Sequence, residues 1–464
     1  MEFSLKEVVA TSSTTENKVG IVGYERENDE EDSSSSSSCS SSTCSLPPFS
    51  QHAEPFRVMM MGEEEGGLNG LSVQDNVMLQ RNILGRQYSE HDAKERIRYE
   101  ESLFWMTYRH SFPEIKPYGY SSDAGWGCML RASQMLLAQT LRLHYKSRDW
   151  VPPASFDERR REGSFYNEIL TRFADYPGKN YCFSFHNICC CGFLMNKIPG
   201  EWYGPTTASF VLRDICRLSE RFQQKEKQMF HVFIAQEGCL YLDQVEKDMQ
   251  KRSGKSVSIV EISEEEENSS CHDPLLRPRR ISKLPEWDRP LLLLIPLRLG
   301  LESFNEDYST SLSKTFTFPH SVGILGGKRA HANWFYGATS DGSLLFGLDP
   351  HTNQQVVGRS QKRDCSLSFT NSYLRSMHTK KPAKVKIKSL DPSIALAFYC
   401  KNREDFQNLV QLFRVANSEM PSLPPLFSII EAMPDYCSDI GMFNEMMDTG
   451  EAKEVEDEDD YVFL

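Results

Sequence analysis

DAGWGCMLRASQM, residues 123–135, places a cysteine between a Gly-Trp-Gly triplet and a run with helical spacing. A thiol at the start of a helix meets unpaired N–H groups and the positive end of the helix dipole, which favour the thiolate. Gly125 and Gly127 allow a close approach of the backbone, and Trp126 can wall one side. Cys128 is therefore a candidate nucleophile; the alternative is a small buried hydrophobe at a helix start.

The rest of the chain mixes helices and strands. Apolar residues at helical spacing predict a helix over 128–146, with Arg131 and Arg142 on its outer face. Further helices are predicted at 207–222 and 404–413. Short apolar runs predict strands at 231–235, 291–297, 322–325, 333–338, 343–349 and 394–399. Because helices come early and strands cluster late, we expect an α+β fold rather than alternating βαβ units.

Low-complexity segments set the expected boundaries. Residues 1–76 are acidic and Ser-rich, and they cannot bury enough apolar surface to offset the entropy of ordering. We therefore expect a disordered N-terminal region, a folded domain over 77–430 and an acidic tail over 431–464. A charged stretch at 263–283 predicts a disordered loop insertion within the domain.

Composition narrows the class of protein. A net charge of −13 over 464 residues argues against nucleic acid as the main partner. The longest apolar run, 291–297, has the length of a buried strand and not of a membrane span. The N-terminus carries no apolar signal-peptide core. With 13 irregularly spaced cysteines, the sequence favours a reducing cytoplasmic setting, and we expect a monomer.

A thiol nucleophile needs a base, and one histidine has a suitable context. LFGLDPHTNQ, residues 345–354, places Asp349 and His351 two positions apart at a strand end, so that their side chains can project to the same face. A carboxylate beside an imidazole can hold its tautomer and stabilise the cation formed during catalysis. The alternative is an ordinary turn, in which Asp-Pro and His-Thr-Asn are common.

Two further features stay open at this level. Tyr108, in FWMTYRHSFP, can donate its hydroxyl to an oxyanion hole, or it can be a half-buried tyrosine with its hydroxyl bonded. Residues 182–191, CFSFHNICCC, fit no standard zinc spacing. We therefore expect buried thiols on a helix or strand there, and no metal.

In combination these motifs resemble one family, the autophagy-related cysteine proteases called autophagins. The resemblance extends from about residue 80 to about residue 410, in family order. The matching stretches are ILGRQYS (83–89), MTYRHSFP (106–113), SSDAGWGCMLRASQMLLAQ (121–139), EWYGPTTA (201–208), RPLLLLIPLRLGLESFNEDY (289–308), VGILGGK (322–328), LFGLDPHTNQ (345–354) and LDPSIALAFYCKNREDF (390–406).

The resemblance implies a papain-like α+β core with a small inserted subdomain and no cofactor. It implies cleavage after the C-terminal glycine of ubiquitin-like autophagy modifiers of the GABARAP type. Both the precursor and the form conjugated to phosphatidylethanolamine are implied substrates, so contact with the autophagosomal membrane would occur through the lipidated substrate. Trimming primes the precursor, and delipidation releases the modifier.

The resemblance implies that Cys128 is the nucleophile and His351 the base. It also implies that Asp349 orients His351 and that Tyr108 is the oxyanion-hole tyrosine. Trp202, in EWYGP, matches the tryptophan that covers a narrow substrate groove, with Trp126 and Gly127 beside it. Glycine is the one residue that lets a substrate tail pass flat beneath an aromatic lid.

The sequence departs from the family pattern beside the nucleophile and beside the groove. Arg329 stands where members often have proline after Gly-Gly-Lys, which leaves the gating of that loop open. Ala132 stands where some members have a redox-sensitive cysteine, so that switch is absent.

Two alternative functions stay open. The chain can be a low-activity or latent protein that mainly binds modifiers, or an acyltransferase built on the same core.

The acidic C-terminus resembles a short motif that binds autophagy modifiers by strand addition. In DEDDYVFL, Tyr461 and Leu464 would enter two apolar pockets, and the acidic residues before them would meet a basic rim. The alternative is a solvated acidic tail.

Overall fold

The apolar runs in the second half of the chain form the centre of the fold. Leu291–Arg298, with the sequence LLLLIPLR, is buried at almost every position, because it lies inside a sheet that is covered on both faces. The computed structural model describes residues 80–222, 229–236, 238–252, 286–328, 330–359 and 367–434.

The strands are numbered along the chain. They are β1 (Arg81–Ile83), β2 (Arg86–Tyr88), β3 (Tyr108–Ile115), β4 (Tyr120–Ser122), β5 (His231–Ile234), β6 (Cys239–Tyr241), β7 (Leu291–Arg298), β8 (Ser321–Lys328), β9 (His331–Thr339), β10 (Leu344–Leu348), β11 (Asn353–Gln355), β12 (Gly358–Arg359), β13 (Leu367–Ser368), β14 (Ala383–Lys386), β15 (Ser393–Cys400) and β16 (Ser428–Ile430). Each of the six strands predicted from the sequence is present, with bounds that differ by a few residues.

The α-helices are numbered in the same way. They are α1 (Ala93–Glu100), α2 (Cys128–Tyr145), α3 (Phe156–Arg160), α4 (Phe165–Arg172), α5 (Phe185–Gly192), α6 (Pro205–Phe222), α7 (Leu242–Arg252), α8 (Ser309–Lys314), α9 (Asn371–Ser376) and α10 (Arg403–Glu419). The three predicted helices correspond to α2, α6 and α10, and α10 continues six residues beyond its predicted end.

The main sheet has the strand order β14-β10-β9-β8-β15-β7-β5, and β1 pairs with both β2 and β9. Neighbours along this row run antiparallel except β5 and β7, which are parallel. A smaller sheet, β11-β3-β4, stands beside it, and its parallel β11–β3 pair starts with Asn353 opposite Tyr108. The expected α+β class is confirmed.

Each face of the main sheet packs against its own helices. Alternate residues of β15 enter two cores, with Ala395, Ala397 and Tyr399 on one face and Ile394, Leu396 and Phe398 on the other. Helices α2 and α6 cover the first face. Helix α10 covers the second face through the side chains of Phe406, Leu409 and Phe413. This placement holds the start of α2 beside the edge where β9 begins.

The expectation that Arg131 and Arg142 lie on the outer face of the first long helix is wrong. Both guanidinium groups are buried, because other elements cover α2 on every side. Arg131 forms ion pairs with Asp123 and Asp175. Arg142 donates to backbone carbonyls, including that of Arg148 at 3.2 Å. Buried charges are tolerated where such partners replace water.

Several predictions lie outside the described residues. They concern the N-terminal region 1–76, the loop insertion 263–283, Arg329 and almost all of the tail 431–464, including Tyr461 and Leu464. The domain boundaries therefore stay predictions. Among the described helices, none combines the length and the apolarity that a bilayer crossing requires.

Candidate active site

Cys128 is the first residue of α2, and Gly127 is the N-cap. The thiol is 1% exposed, so it lies beneath the surface of the site. A Cβ at position 127 would come within 2.5 Å of Asp123 Oδ2 and 2.8 Å of Phe185 Cζ. Only glycine fits there without displacement, and its side-chain-free backbone lets the helix start close to its neighbours.

Asp123 organises the loop that precedes the nucleophile candidate. Its carbonyl oxygen accepts from the N–H groups of Trp126 and Gly127, at 3.2 and 2.9 Å. Its carboxylate accepts from Arg109 N at 2.7 Å and from the Arg131 guanidinium. The loop is thereby tied to both β3 and α2, which carry Tyr108 and Cys128.

His351 and Asp349 follow the end of β10 and meet as the sequence predicts. Asp349 Oδ1 accepts from both the His351 Nδ1 and the His351 backbone N–H, the latter at 2.9 Å. Trp105 Nε1 donates to the Asp349 carbonyl at 2.7 Å and fixes the backbone of this turn. With Nδ1 occupied by the carboxylate, Nε2 is the ring nitrogen left to face the thiol.

The thiol and the imidazole affect each other's protonation. Burial alone would raise the pKa of Cys128, but interactions with His351, with the Ala332 N–H and with the Tyr108 hydroxyl lower it. Burial alone would lower the pKa of His351, but Asp349 and Cys128 raise it to about 9. A thiolate–imidazolium pair is the species that these shifts favour. His351 Nε2 closes no conventional hydrogen bond, as is common in unliganded sites.

Tyr108 lies where its hydroxyl can serve the reaction. It starts β3, and its N–H donates to the Pro350 carbonyl at 2.9 Å. Its ring stands edge-on to the His351 imidazole, with 5.3 Å between centroids. Burial and the neighbouring Cys128 thiol raise the pKa of Tyr108, against the opposing effect of the Gly125 N–H, so the hydroxyl stays a proton donor.

Sequence reasoning missed two groups at the start of β9. The His331 ring lies parallel to that of His351, with 3.5 Å between centroids and 2° between planes. His331 Nε2 is 3.5 Å from Asp349 Oδ2. The Ala332 N–H lowers the pKa of the Cys128 thiol. No local motif marks these residues; only the strand pairing that places the start of β9 beside α2 reveals them.

The two tryptophans assigned to the groove have different environments. Trp202 is 42% exposed and precedes α6, whereas the adjacent Tyr203 is fully buried. Trp126 is buried, and its ring packs edge-on against Phe185, with 5.1 Å between centroids. Trp202 is therefore available to a partner, while Trp126 supports the loop from inside the core.

The cysteine-rich segment forms helix α5. Cys182, Cys189 and Cys191 are buried, and burial raises the pKa of each thiol. The expectation of buried thiols on a helix is confirmed for Cys189 and Cys191, whereas Cys182 lies in a turn before α5 and Cys190 is half-buried. Among the described residues, the one group of side chains close enough to share a cation is His331, Asp349 and His351. Parallel stacked rings do not direct their in-plane nitrogen lone pairs to a common point, so we assign no ligand role to them.

This arrangement can perform acyl transfer. A thiolate at a helix N-terminus can attack a carbonyl carbon, and an imidazolium can protonate the leaving amine. The Cys128 backbone N–H and the Tyr108 hydroxyl are donors that an oxyanion could meet. The remaining question is which family of proteins uses such a site.

Comparisons with known proteins answer it. Residues 93–412 match the peptidase C54 catalytic domain family. Cysteine protease ATG4B of Xenopus laevis is 34% identical over 80% of this chain and 88% of its own length. ATG4B of Gallus gallus is 33% identical over 81% and 90%, and human ATG4A is 32% identical over 76% and 82%. The fold is thus the papain-like fold that the resemblance implies. The chain belongs to the peptidase C54 family and is an autophagy-related cysteine protease.

Proposed function

We propose that Cys128 is the nucleophile, His351 the general base and acid, Asp349 its orienting partner and Tyr108 an oxyanion donor. The observation that carries this assignment is the bond between His351 and Asp349, together with the mutual pKa shifts of His351 and Cys128 at the start of α2. The thiolate attacks the scissile carbonyl, the imidazolium gives its proton to the leaving amine, and water resolves the thioester.

The proposed substrates are ubiquitin-like autophagy modifiers of the GABARAP type. The enzyme cleaves after their C-terminal glycine, both in the precursor and in the conjugate with phosphatidylethanolamine. Two features support a narrow groove that selects glycine. Trp202 is a large aromatic left half exposed, and the thiol lies beneath the surface, so a chain without side chains reaches it most easily.

The direct test is to incubate the protein with precursor and lipidated modifiers and to follow the products by mass. Cys128→Ala should abolish both reactions while leaving the fold and modifier binding intact. Cys239→Ala, which removes a half-buried thiol on β6, is the control and should cleave normally. Turnover by the Cys128→Ala protein would refute the assignment of the nucleophile.

The Trp202→Ala variant tests substrate binding in the groove separately from the reactivity of the Cys128 thiol. Because the ring is half exposed and contributes little to the core, stability should not change. Cleavage of modifiers should slow by about ten-fold or more, since a positioning contact is lost, while alkylation of Cys128 by iodoacetamide should keep its rate. Cleavage of modifiers by Trp202→Ala at the wild-type rate would show that Trp202 is not part of the groove.

Burial of Cys128 favours a second candidate function. With the thiol 1% exposed, a segment must move before a substrate carbonyl can reach it. The chain could then be a latent protease that acts mainly as a modifier-binding regulator. Failure of a covalent thiol probe to label Cys128 in the native protein, together with retained modifier binding, would favour this candidate.

The tail is proposed to bind modifiers through Tyr461 and Leu464, by addition of a strand. Deletion of residues 461–464 should weaken binding of the modifier without changing cleavage of a short peptide. Unchanged modifier affinity would exclude this role. A monomer, a cytoplasmic location and independence from metals and other cofactors stay predictions.

A further inference from the structure

We propose that His331 is a positioning residue for His351: it holds the second oxygen of Asp349 and stacks on the face of the imidazole. This inference rests on the proposed function, because it concerns the group assigned as the base. It adds a second histidine to a site in which the sequence predicts one.

The backbone places His331 firmly. Strands β8 and β9 are antiparallel neighbours, and Lys328 pairs directly with His331. Ala330, which directly precedes β9, has a left-handed backbone, with φ of 58°. The N–H of the next residue after His331, Ala332, acts on the Cys128 thiol and lowers its pKa. The position of His331 is therefore tied to that of the nucleophile by one peptide unit.

Asp349 connects the two rings. Its Oδ1 accepts from His351 Nδ1, and its Oδ2 faces His331 Nε2 at 3.5 Å. The rings lie 3.5 Å apart and within 2° of parallel. One carboxylate that bridges two stacked imidazoles fixes the rotation of both rings. Loss of His331 would free one oxygen of Asp349 and one face of His351, so the imidazole could rotate away from the thiol.

The contact also affects the charge at the site. An N–H donor at His331 Nε2 disperses part of the negative charge that Asp349 presents to His351 and Cys128.

The sign of the effect follows from the neighbouring charges. The titratable and charged groups around His331 are Asp349 and His351 after β10, Cys128 on α2, Tyr108 on β3 and Lys328 on β8. Removing the His331 N–H donor leaves more of the negative charge of Asp349 uncompensated. A more negative site disfavours the thiolate and favours the imidazolium, so the pKa values of Cys128 and His351 both rise.

The test measures the rate at which iodoacetamide alkylates Cys128 between about pH 4 and about pH 10, across the range where thiol and imidazole titrate. The proteins are the wild type, His331→Ala and His331→Gln, with the exposed His91→Ala as the matched control. In His331→Ala, both limbs of the profile should move to higher pH by roughly half a unit or more. Its kcat/KM on a modifier should fall about ten-fold, as expected when a hydrogen bond to a charged group is lost.

The glutamine amide keeps an N–H donor, so His331→Gln should recover most of the wild-type profile. A His331→Ala profile that superimposes on the wild type would overturn the proposal while leaving the function of Cys128 intact. A profile shifted equally in both variants would overturn the hydrogen-bonding role. Absence of any alkylation of Cys128 in the wild type would instead contradict the proposed function itself.

Discussion

Arg131 on α2 and Asp123 in the preceding loop form a bidentate ion pair beside the nucleophile candidate, with Nε–Oδ2 at 2.8 Å and Nη2–Oδ1 at 2.9 Å. Both side chains are excluded from solvent. Because the same carboxylate accepts from Arg109 N, it joins the helix that carries Cys128 to the strand that carries Tyr108. The geometry of the site therefore depends on a charge pair that contacts no substrate.

Arg131→Met should destabilise the protein by about 3–5 kcal/mol, because it leaves Asp123 and Asp175 as buried carboxylates without a cation. The measurement is urea unfolding of both proteins. Arg414→Met is the matched control, since its pair with Glu431 is exposed and should contribute little. Similar unfolding midpoints for the two variants would show that the buried pair is not stabilising.

Asp349→Asn should move the alkaline limb of kcat/KM to lower pH. Asp349 holds the pKa of His351 at about 9, above the ordinary value of 6.5, so a neutral amide lets the imidazolium lose its proton earlier as pH rises. The maximum should fall only about 10- to 100-fold, since an amide oxygen can still accept from Nδ1, as in Cys-His-Asn sites.

The measurement for Asp349→Asn is the full pH profile of cleavage, beside that of Asp341→Asn. Asp341 is a carboxylate of the turn after β9 and accepts from the backbone N–H and the hydroxyl of Ser343. An alkaline limb that stays in place in Asp349→Asn would mean that Asp349 does not set the protonation of His351.

Tyr108→Phe should lower kcat by about 10²-fold, the usual cost of one oxyanion donor, with little change in KM. The ring would still pack against His351, so stability should be close to that of the wild type. Steady-state kinetics on a modifier precursor give both constants. Tyr181→Phe is the control, because Tyr181 is a half-buried tyrosine whose ring packs against Tyr176. A change confined to KM would indicate a binding role.

Gly127→Ala should reduce both stability and activity, because its Cβ would overlap Asp123 Oδ2 and Phe185 Cζ. Overpacking of this kind costs about 1–3 kcal/mol. Thermal unfolding and the alkylation rate of Cys128 measure the two effects. Gly358→Ala is the control, since a Cβ there meets nothing within 4 Å. Wild-type behaviour of Gly127→Ala would show that the helix start can shift without consequence.

Local patterns were sufficient for the three longest helices and for six strands of the main sheet. Apolar run length located those strands, and the Gly-Trp-Gly-Cys stretch located the start of α2 to the residue. Asp349 and His351 could be paired because a separation of two after a strand brings side chains to one face. The same local reasoning failed for Arg131 and Arg142, since helical spacing cannot show that other elements cover the polar side of a helix.

The sequence by itself determined the α+β class, the family and the residues assigned as nucleophile, base and orienting acid, because each of these leaves a local signature. The tertiary structure alone decided that Asp123 and Arg131 support the site and that His331 stacks on His351. Those relationships join residues on separate elements, and strand register and helix packing bring them together. No local pattern encodes a contact that forms only when two distant segments pair.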